Sequence, residues 1–206
     1  MKEPQDPQRM GRVLHLAMEE ILGAEGLRSL LECAGLVPGE TTGAEFMEDG
    51  QFASSKLERA LAALEQLYGG PGGRGVSLRI GRACFGYGLR EYGDALGVTS
   101  TSFRLLPFPK KVRTFASALR EMFDSMSNGC VRVEEEDGKV RWIMEKCPFC
   151  HGQHADQGIC TLPAGLAEEA LYWLSGGKMF QVQEAACMAQ GDPACILQVD
   201  ETPLDS

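Results

Sequence analysis

The sequence holds only three histidines, His15, His151 and His154. A Cys–His or Ser–His–Asp nucleophile needs a positioned imidazole or another base. No Ser–His–Asp pattern and no paired-carboxylate pattern stands out around these three. Positive charge is also scarce: 20 Lys and Arg against 29 Asp and Glu, a net charge of −9. Such a balance disfavours binding to nucleic acid through phosphate contacts. The one basic knot, Lys110, Lys111 and Arg113, is short and reads as a solvated helix face. No apolar run reaches the roughly 20 residues that span a bilayer. The start, Met1 to Pro7, lacks an apolar signal region, so the chain is read as cytoplasmic, with no membrane insertion and reduced cysteines. Internal repeats and low-complexity tracts are missing as well.

A dinucleotide-type phosphate loop is likewise not supported. Residues 76–96 are rich in glycine, but Gly86-x-Gly88 is followed by Glu91 where a third glycine belongs. The alternative is a helix packed closely on a neighbour, with small residues at the contact, and that is the expectation taken here.

What the chain does have is thiol. Five of its eight cysteines lie in the last sixty residues: Cys147 and Cys150 as Cys-x-x-Cys, then Cys160, Cys187 and Cys195. In a reduced compartment such a cluster favours a metal over a disulfide framework. Thiolates at short spacing suit a soft or borderline ion, most often zinc. Cys147 and Cys150 can hold one ion as a pair. Cys187 and Cys195 can converge if Gly191 turns the backbone between them. Cys160 stands at an expected helix start, where the helix dipole favours a thiolate. Five thiols exceed a tetrahedral set, so one is spare or the set has alternatives, and His151 and His154 are near enough to compete. Glu134, Glu135 and Glu136 read as a solvated turn, one of which could reach a metal. A dithiol redox switch is the competing reading of Cys147 and Cys150. Cys33, Cys84 and Cys130 lie apart and are expected in the core, as is His15.

Periodicity organises the rest. Residues 1–10 read as a flexible terminus and 11–200 as a single domain, with the metal tail at 145–200. Met10, Val13, Leu14, Ala17, Met18, Ile21 and Leu22 recur at helical spacing. Gly23 and Gly26 bend or end that helix before Leu27 to Cys33. A helix is expected over Ser54 to Tyr68, a loop at Gly69 to Gly73, and an irregular connection at Phe103 to Pro109. A strongly amphipathic helix follows from Val112 to Met126, stopped by Asn128-Gly129. Asp137-Gly138 between two β-rich runs signals a hairpin. Thr161 to Ser175 reads as a helix started by Thr161, and Phe180 to Glu184 and Cys195 to Val199 read as strands. Helices first and a sheet last predict an α+β fold.

The tail also resembles a known family. Cys160 near a helix start, Trp173 to Gly177 at the helix end, then Glu184-x-x-Cys187-x-x-x-Gly191-x-x-x-Cys195 and a closing apolar strand are similar to the 4-vinyl reductase domain, also called hydrocarbon-binding proteins. Cys147-Pro148-Phe149-Cys150 stands where many members carry a Ser-Pro-Phe-like segment. The resemblance covers about 65 residues; the N-terminal helices match only in order and character. It implies helices packed on a twisted antiparallel sheet, as in TRAPP subunits and haem-type nitric-oxide sensors, and often a homodimer. It implies a small hydrophobic, aromatic or hydrocarbon ligand, and a zinc beside the ligand pocket held by three cysteines and a glutamate. The cysteines correspond to Cys160, Cys187 and Cys195; Cys150 or Cys147 would replace the glutamate, for which no clean counterpart is evident.

The resulting expectation is a non-enzymatic, zinc-containing sensor or carrier domain that passes its signal to a protein partner. The alternatives are an auxiliary factor or reductase acting on a tetrapyrrole vinyl group, and a TRAPP-like adaptor. No nicotinamide or flavin motif supports a reductase. Phe103, Phe108, Phe115, Phe123, Trp142 and Trp173 are the candidate pocket residues.

Overall fold

The computed structural model describes residues 8–204, apart from 40, 50, 128–130, 137, 151 and 201; the side chains of 121–130 and 136 are also outside the description. The expected glycine stop at Asn128-Gly129 and the candidates Phe123, Cys130 and His151 therefore fall outside the described residues.

Helix α1 runs from Gln8 to Cys33 and is bent at Gly23, whose φ of 72° and ψ of 166° only glycine adopts easily. Its buried stripe includes Val13, Leu14, Ala17, Met18, Leu27, Leu30 and Leu31. Gln8, Arg9 and Met10, expected in the loose terminus, are already helical. Two short strands, β1 (Met47–Glu48) and β2 (Gln51–Phe52), form a small hairpin that the sequence did not announce. Helix α2 covers Ser54–Tyr68, as the periodicity predicts, and buries Leu57, Ala60, Leu61, Ala63 and Leu64.

Helix α3 spans Gly70–Tyr92, so the expected loop at residues 69–73 is a correction. Only Gly69 breaks the chain there, with φ 75°. Pro71 sits in the first turn of α3, where its missing N–H is harmless. Gly73 lies so close to α2 that a Cβ would stand 2.7 Å from the Glu65 Cα. The irregular connection at 103–109 is likewise corrected. Ser100 caps a short helix, α4 (Thr101–Arg104), by accepting from the Phe103 N–H at 3.2 Å. Helix α5 then starts at Phe108 and runs to Ser127, with Pro109 in its first turn.

Strands β3 (Val131–Glu136) and β4 (Lys139–Met144) form the expected hairpin. Helix α6 covers Thr161–Ser175, but its N-cap residue is Cys160, not Thr161. Strand β5 lies at Val182–Ala186, two residues later than expected, and β6 at Cys195–Asp200. The four form one antiparallel sheet in the order β3-β4-β6-β5, with an irregularity between Glu184 and Ala186.

One face of that sheet is apolar. Val140, Trp142 and Met144 on β4 alternate with outward residues, as do Leu197 and Val199 on β6, and they meet Leu166, Ala170, Leu171 and Leu174 of α6 and Val112 and Phe115 of α5. Helix α3 packs on α6 with its backbone almost touching. A Cβ at Gly81 would stand 2.0 Å from the Leu162 carbonyl oxygen, and one at Gly165 would stand 2.0 Å from that of Leu78. Two glycines, one on each helix, make the approach possible. Small residues at a helix contact were the expectation for this glycine-rich segment. The architecture is α+β, helices packed on an antiparallel sheet.

Candidate metal centre and apolar cavity

The five tail cysteines arrive from four directions. Cys147 and Cys150 lie on the turn after β4. Cys160 is the N-cap of α6. Cys187 follows the end of β5, and Cys195 opens β6, where it is paired in register with Met144. Gly191, at φ 97°, reverses the backbone between Cys187 and Cys195 as required. The Cys187 N–H donates to Asp192 Oδ2 at 2.8 Å, which ties the turn closed.

The thiols then meet in the interior. Sγ–Sγ separations are 3.5 Å for Cys147–Cys160, 3.3 Å for Cys150–Cys195, 3.6 Å for Cys160–Cys195 and 4.0 Å for Cys150–Cys187. All five residues are buried. A tetrahedral ion with bonds of about 2.3 Å holds its thiolates about 3.8 Å apart. The observed separations bracket that edge and exceed a disulfide bond of about 2.05 Å by far.

Two donor sets result. Cys147, Cys150, Cys160 and Cys195 have ligand atoms all within 4.8 Å of one another, and so do Cys160, Glu184, Cys187 and Cys195. Glu184, part of the run Glu184-x-x-Cys187, brings a carboxylate to the cluster where the sequence shows no clean counterpart for one. Its oxygens accept from the Cys160 N–H at 3.1 and 3.2 Å. The signal was available in the alternation: Glu184 shares a strand face with Val182 and stands opposite Leu197, which faces α6. His154 is exposed and belongs to neither set, nor do Glu134 and Glu135, the latter paired to Arg113 at 2.6 Å.

Electrostatics follow from crowding. Burial pushes the Glu184 carboxyl up to about 8. Hydrogen bonding from Cys160 pulls Cys187 down to about 5. Contact with Cys147 lowers Cys150 and raises Cys160 and Cys195. Without a cation, only part of this cluster can ionise at once; an ion would let the remainder follow.

An apolar cavity of about 310 Å³ adjoins the cluster, bounded by α1, α2, α3, α5 and the Cys147–Cys150 turn. Phe52, Cys84, Phe85, Tyr92, Phe115 and Phe149 line it. A second cavity of about 80 Å³ lies between α5, α6 and the sheet, and includes Trp142. Phe115 and Phe149 line both. Of the candidate pocket residues, Phe115 and Trp142 are thus cavity-lining. Phe103 stacks on Trp173, whose other side leans on Phe85, and Phe108 stacks on Phe180. Phe103, Phe108 and Trp173 are not among the residues that line these two cavities.

Cys84 is in the core as expected, and burial pushes its thiol up to about 12. Cys33 is a correction: it is exposed and donates to Gln66 Oε1 at 3.4 Å. His15 is satisfied by Glu45 Oε1 at 2.5 Å. No helix among the described residues is long and apolar enough to cross a membrane.

The fold these elements define is that of the H-NOX proteins. The chain is similar to an H-NOX protein from S. oneidensis solved in the Fe(II)NO ligation state, with TM-score 0.61 and 14% identity over 91% of this chain and 97% of that one. It is similar to the Fe(II) unliganded H-NOX protein from K. algicida, with TM-score 0.56 and 11% identity over 93% and 96%. In sequence it is 33% identical over 84 residues to the uncharacterized protein MJ0745 of Methanocaldococcus jannaschii, a match that spans 41% of this chain and 45% of that protein. The matched stretch is thus less than half of that relative's length. No family model matches the chain.

Proposed function

We propose that this chain is a sensor or carrier domain for a small hydrophobic molecule, stabilised by one zinc ion in the cysteine cluster. The observation that carries the reading is the junction of the two features. Phe149 sits between two of the clustered thiols and forms a wall of the apolar cavity. At about 310 Å³, the cavity lies at the lower end of the 300–1,000 Å³ range of ligand pockets. No Asp, Glu, Lys, Arg or His is among its lining residues, which favours an uncharged ligand.

Zinc suits the donors because thiolates dominate and their separations match a tetrahedral edge. Four protein ligands leave no open position, so the ion would be structural and would clamp the Cys147–Cys150 turn and the α6 start to the ends of β5 and β6. The ion would supply fixed positive charge that lets the buried thiols ionise.

A haem finds an incomplete set of partners in the same cavity. Haem iron needs an axial His, thiolate, Met or Tyr ligand. The wall offers Met10 and Tyr92 but no imidazole, its single thiol, Cys84, is held protonated by burial, and it presents no Lys or Arg to meet propionates. The likeness to H-NOX proteins is therefore read as one of fold, and residues 11–200 as a 4-vinyl-reductase-type domain with its metal tail at 145–200, acting as a homodimer beside a signalling partner.

Native mass spectrometry with elemental analysis on the purified chain tests this. One zinc per chain with an added organic mass is the expected result. Zinc without organic mass, in protein that also rejects neutral aromatic probes, removes the ligand reading and favours an adaptor. Absence of metal, with five titratable thiols, removes the metal reading and favours the dithiol switch.

A further inference from the structure

A tetrahedral ion uses four ligands, yet six donors converge here: five thiols and the carboxylate of Glu184. The surplus is not scattered. Both donor sets contain Cys160 and Cys195; Cys147 and Cys150 complete one, Glu184 and Cys187 the other. Cys187 Sγ lies 4.0 Å from Cys150 Sγ, so the sets interpenetrate rather than forming two separate sites.

Glu184 is built into this arrangement rather than left at its edge. Gly158 makes room for it, since a Cβ there would stand 2.3 Å from its Oε2. The Cys160 N–H holds both oxygens. Among the described residues no lysine or arginine is paired with it. A half-buried carboxylate aimed at three thiols, with no cation of its own, is a donor waiting for an ion.

The two pairs of terminal donors are attached to different things. Cys147 and Cys150 flank Pro148 and Phe149, both of which line the large cavity. Glu184 and Cys187 belong to the end of β5, an edge strand of the sheet. Holding the ion by the first pair fixes the cavity wall; holding it by the second frees that wall and tightens the sheet edge.

We propose that a single ion has two overlapping positions that share Cys160 and Cys195, and that a molecule in the cavity, by displacing Phe149, shifts it from Cys147 and Cys150 to Glu184 and Cys187. This rests on the metal reading of the cluster. The exchange is a ligand substitution without electron transfer. Two metal–sulfur bonds would break and one metal–sulfur and one metal–oxygen bond would form; the proton that Glu184 gives up would pass to one departing thiolate, and the other would take over the free negative charge that Cys187 held. The cavity and the ion are then linked reciprocally: whatever occupies the cavity changes how the metal is held, and the metal position changes the affinity of the cavity by the same factor.

Cobalt(II) in place of zinc makes the donor set visible, because thiolate-to-cobalt charge-transfer absorption scales with the number of thiolates. The probe for the cavity is N-phenyl-1-naphthylamine, a neutral fluorescent aromatic amine. The full-length chain is expected to bind one cobalt with four-thiolate intensity, which falls by about one quarter as the probe fills the cavity, since three thiolates and a carboxylate then hold the ion. The double variant Cys147→Ser/Cys150→Ser is expected to keep one cobalt at about three quarters of the wild-type intensity. Glu184→Gln/Cys187→Ser is expected to keep one cobalt at full intensity, and neither variant should respond to the probe.

Loss of cobalt from the first variant but not from the second leaves one position only and overturns the proposal. Two cobalt ions per wild-type chain overturn it also. So does an unchanged spectrum in wild-type protein while the probe fluoresces, or a probe that does not bind at all. The wild-type titration decides even if a variant fails to fold, as circular dichroism would reveal. A wild-type chain that binds neither cobalt nor zinc instead ends the metal reading itself, a separate failure.

Discussion

Among the largest side chains buried almost completely, those of α1 to α3 are Met18, Leu30, Leu57, Leu64 and Ile80, whereas the tail contributes Cys147, Cys150 and Cys160 beside Leu162, with Cys187 and Cys195 at 0% exposure as well. The helical region excludes water with hydrocarbon. The tail excludes it with a cluster of buried thiols, which on the proposed reading are drawn together by an ion. Apolar burial is non-directional and tolerates exchange of one aliphatic residue for another. Thiolate ligation depends on element, distance and angle, and tolerates almost none. The helical region should therefore fail gradually under mutation, and the tail all at once.

The largest effect should come from the donors common to both sets. Cys195→Ser or Cys160→Ser should abolish metal binding and unfold the tail, since a structural zinc contributes an apparent 10–16 kcal/mol, roughly, at neutral pH. Elemental analysis and thermal melts would check it; full zinc stoichiometry in both variants would contradict the clamp. A hydrocarbon deletion supplies the contrast. Leu30→Ala, at a position with 0% exposure, should cost about 2–5 kcal/mol in denaturant titrations while the metal content stays unchanged. If Leu30→Ala also expels the metal, the two regions fold as one unit and the contrast is lost.

Gly81→Ala should cost about 1–3 kcal/mol, because its methyl must push the Leu162 carbonyl, and with it α6, away from α3. Since Cys160 precedes α6, this variant should also weaken metal affinity, which a chelator competition would measure. Acidity gives a smaller, graded test. The folded-state carboxyl of Glu184 is raised to about 8 from an ordinary 4.5. A raised value means the folded chain binds the extra proton. Stability of the metal-stripped chain should therefore be highest below about pH 4.5 on account of this group and fall as pH rises toward 8. Glu184→Gln should flatten that slope in chemical denaturation. At the bottom of the scale, Cys33→Ser should move stability by no more than about 0.5 kcal/mol, since the residue is exposed. Cys33 should also be the first described cysteine to react with iodoacetamide in mass-spectrometric mapping.

Much of the architecture was legible because strong periodicity survives without tertiary information. The span of α2, the extent of α6 and the β3–β4 hairpin followed from spacing and turn residues. The thiols could be grouped because their count and order are unusual in a reduced chain. Other features were hidden for physical reasons. Gly70 to Gly73 have poor helix propensity, and only packing of Gly73 on α2 makes them helical. The β1–β2 hairpin is two residues per strand, too short to have a period. Glu184 shares a face with Val182 by alternation, but which thiols lie beside that face depends on how the Cys147–Cys160 loop and α6 pack against β5. Which aromatics border the cavity depends on how α5 and α6 are set on the sheet, and spacing along one element says nothing of that. Phe149 lies in the Cys147-Pro148-Phe149-Cys150 turn, and only the packing of that turn against α1 to α3 makes it a cavity wall.

The pairing of Met144 with Cys195 carries a lesson about how the chain arrives at this state. Side chains on a strand alternate between faces, so a slip of one residue would turn Cys195 away from the helices and bring Ile196 in its place. Such a slipped sheet would still bury hydrocarbon and still satisfy its backbone, and burial alone would discriminate against it weakly. It could not assemble either donor set. With the proposed ion, metal binding would thus discriminate between registers, since only the sheet with Cys195 opposite Met144 brings that thiol to the cluster.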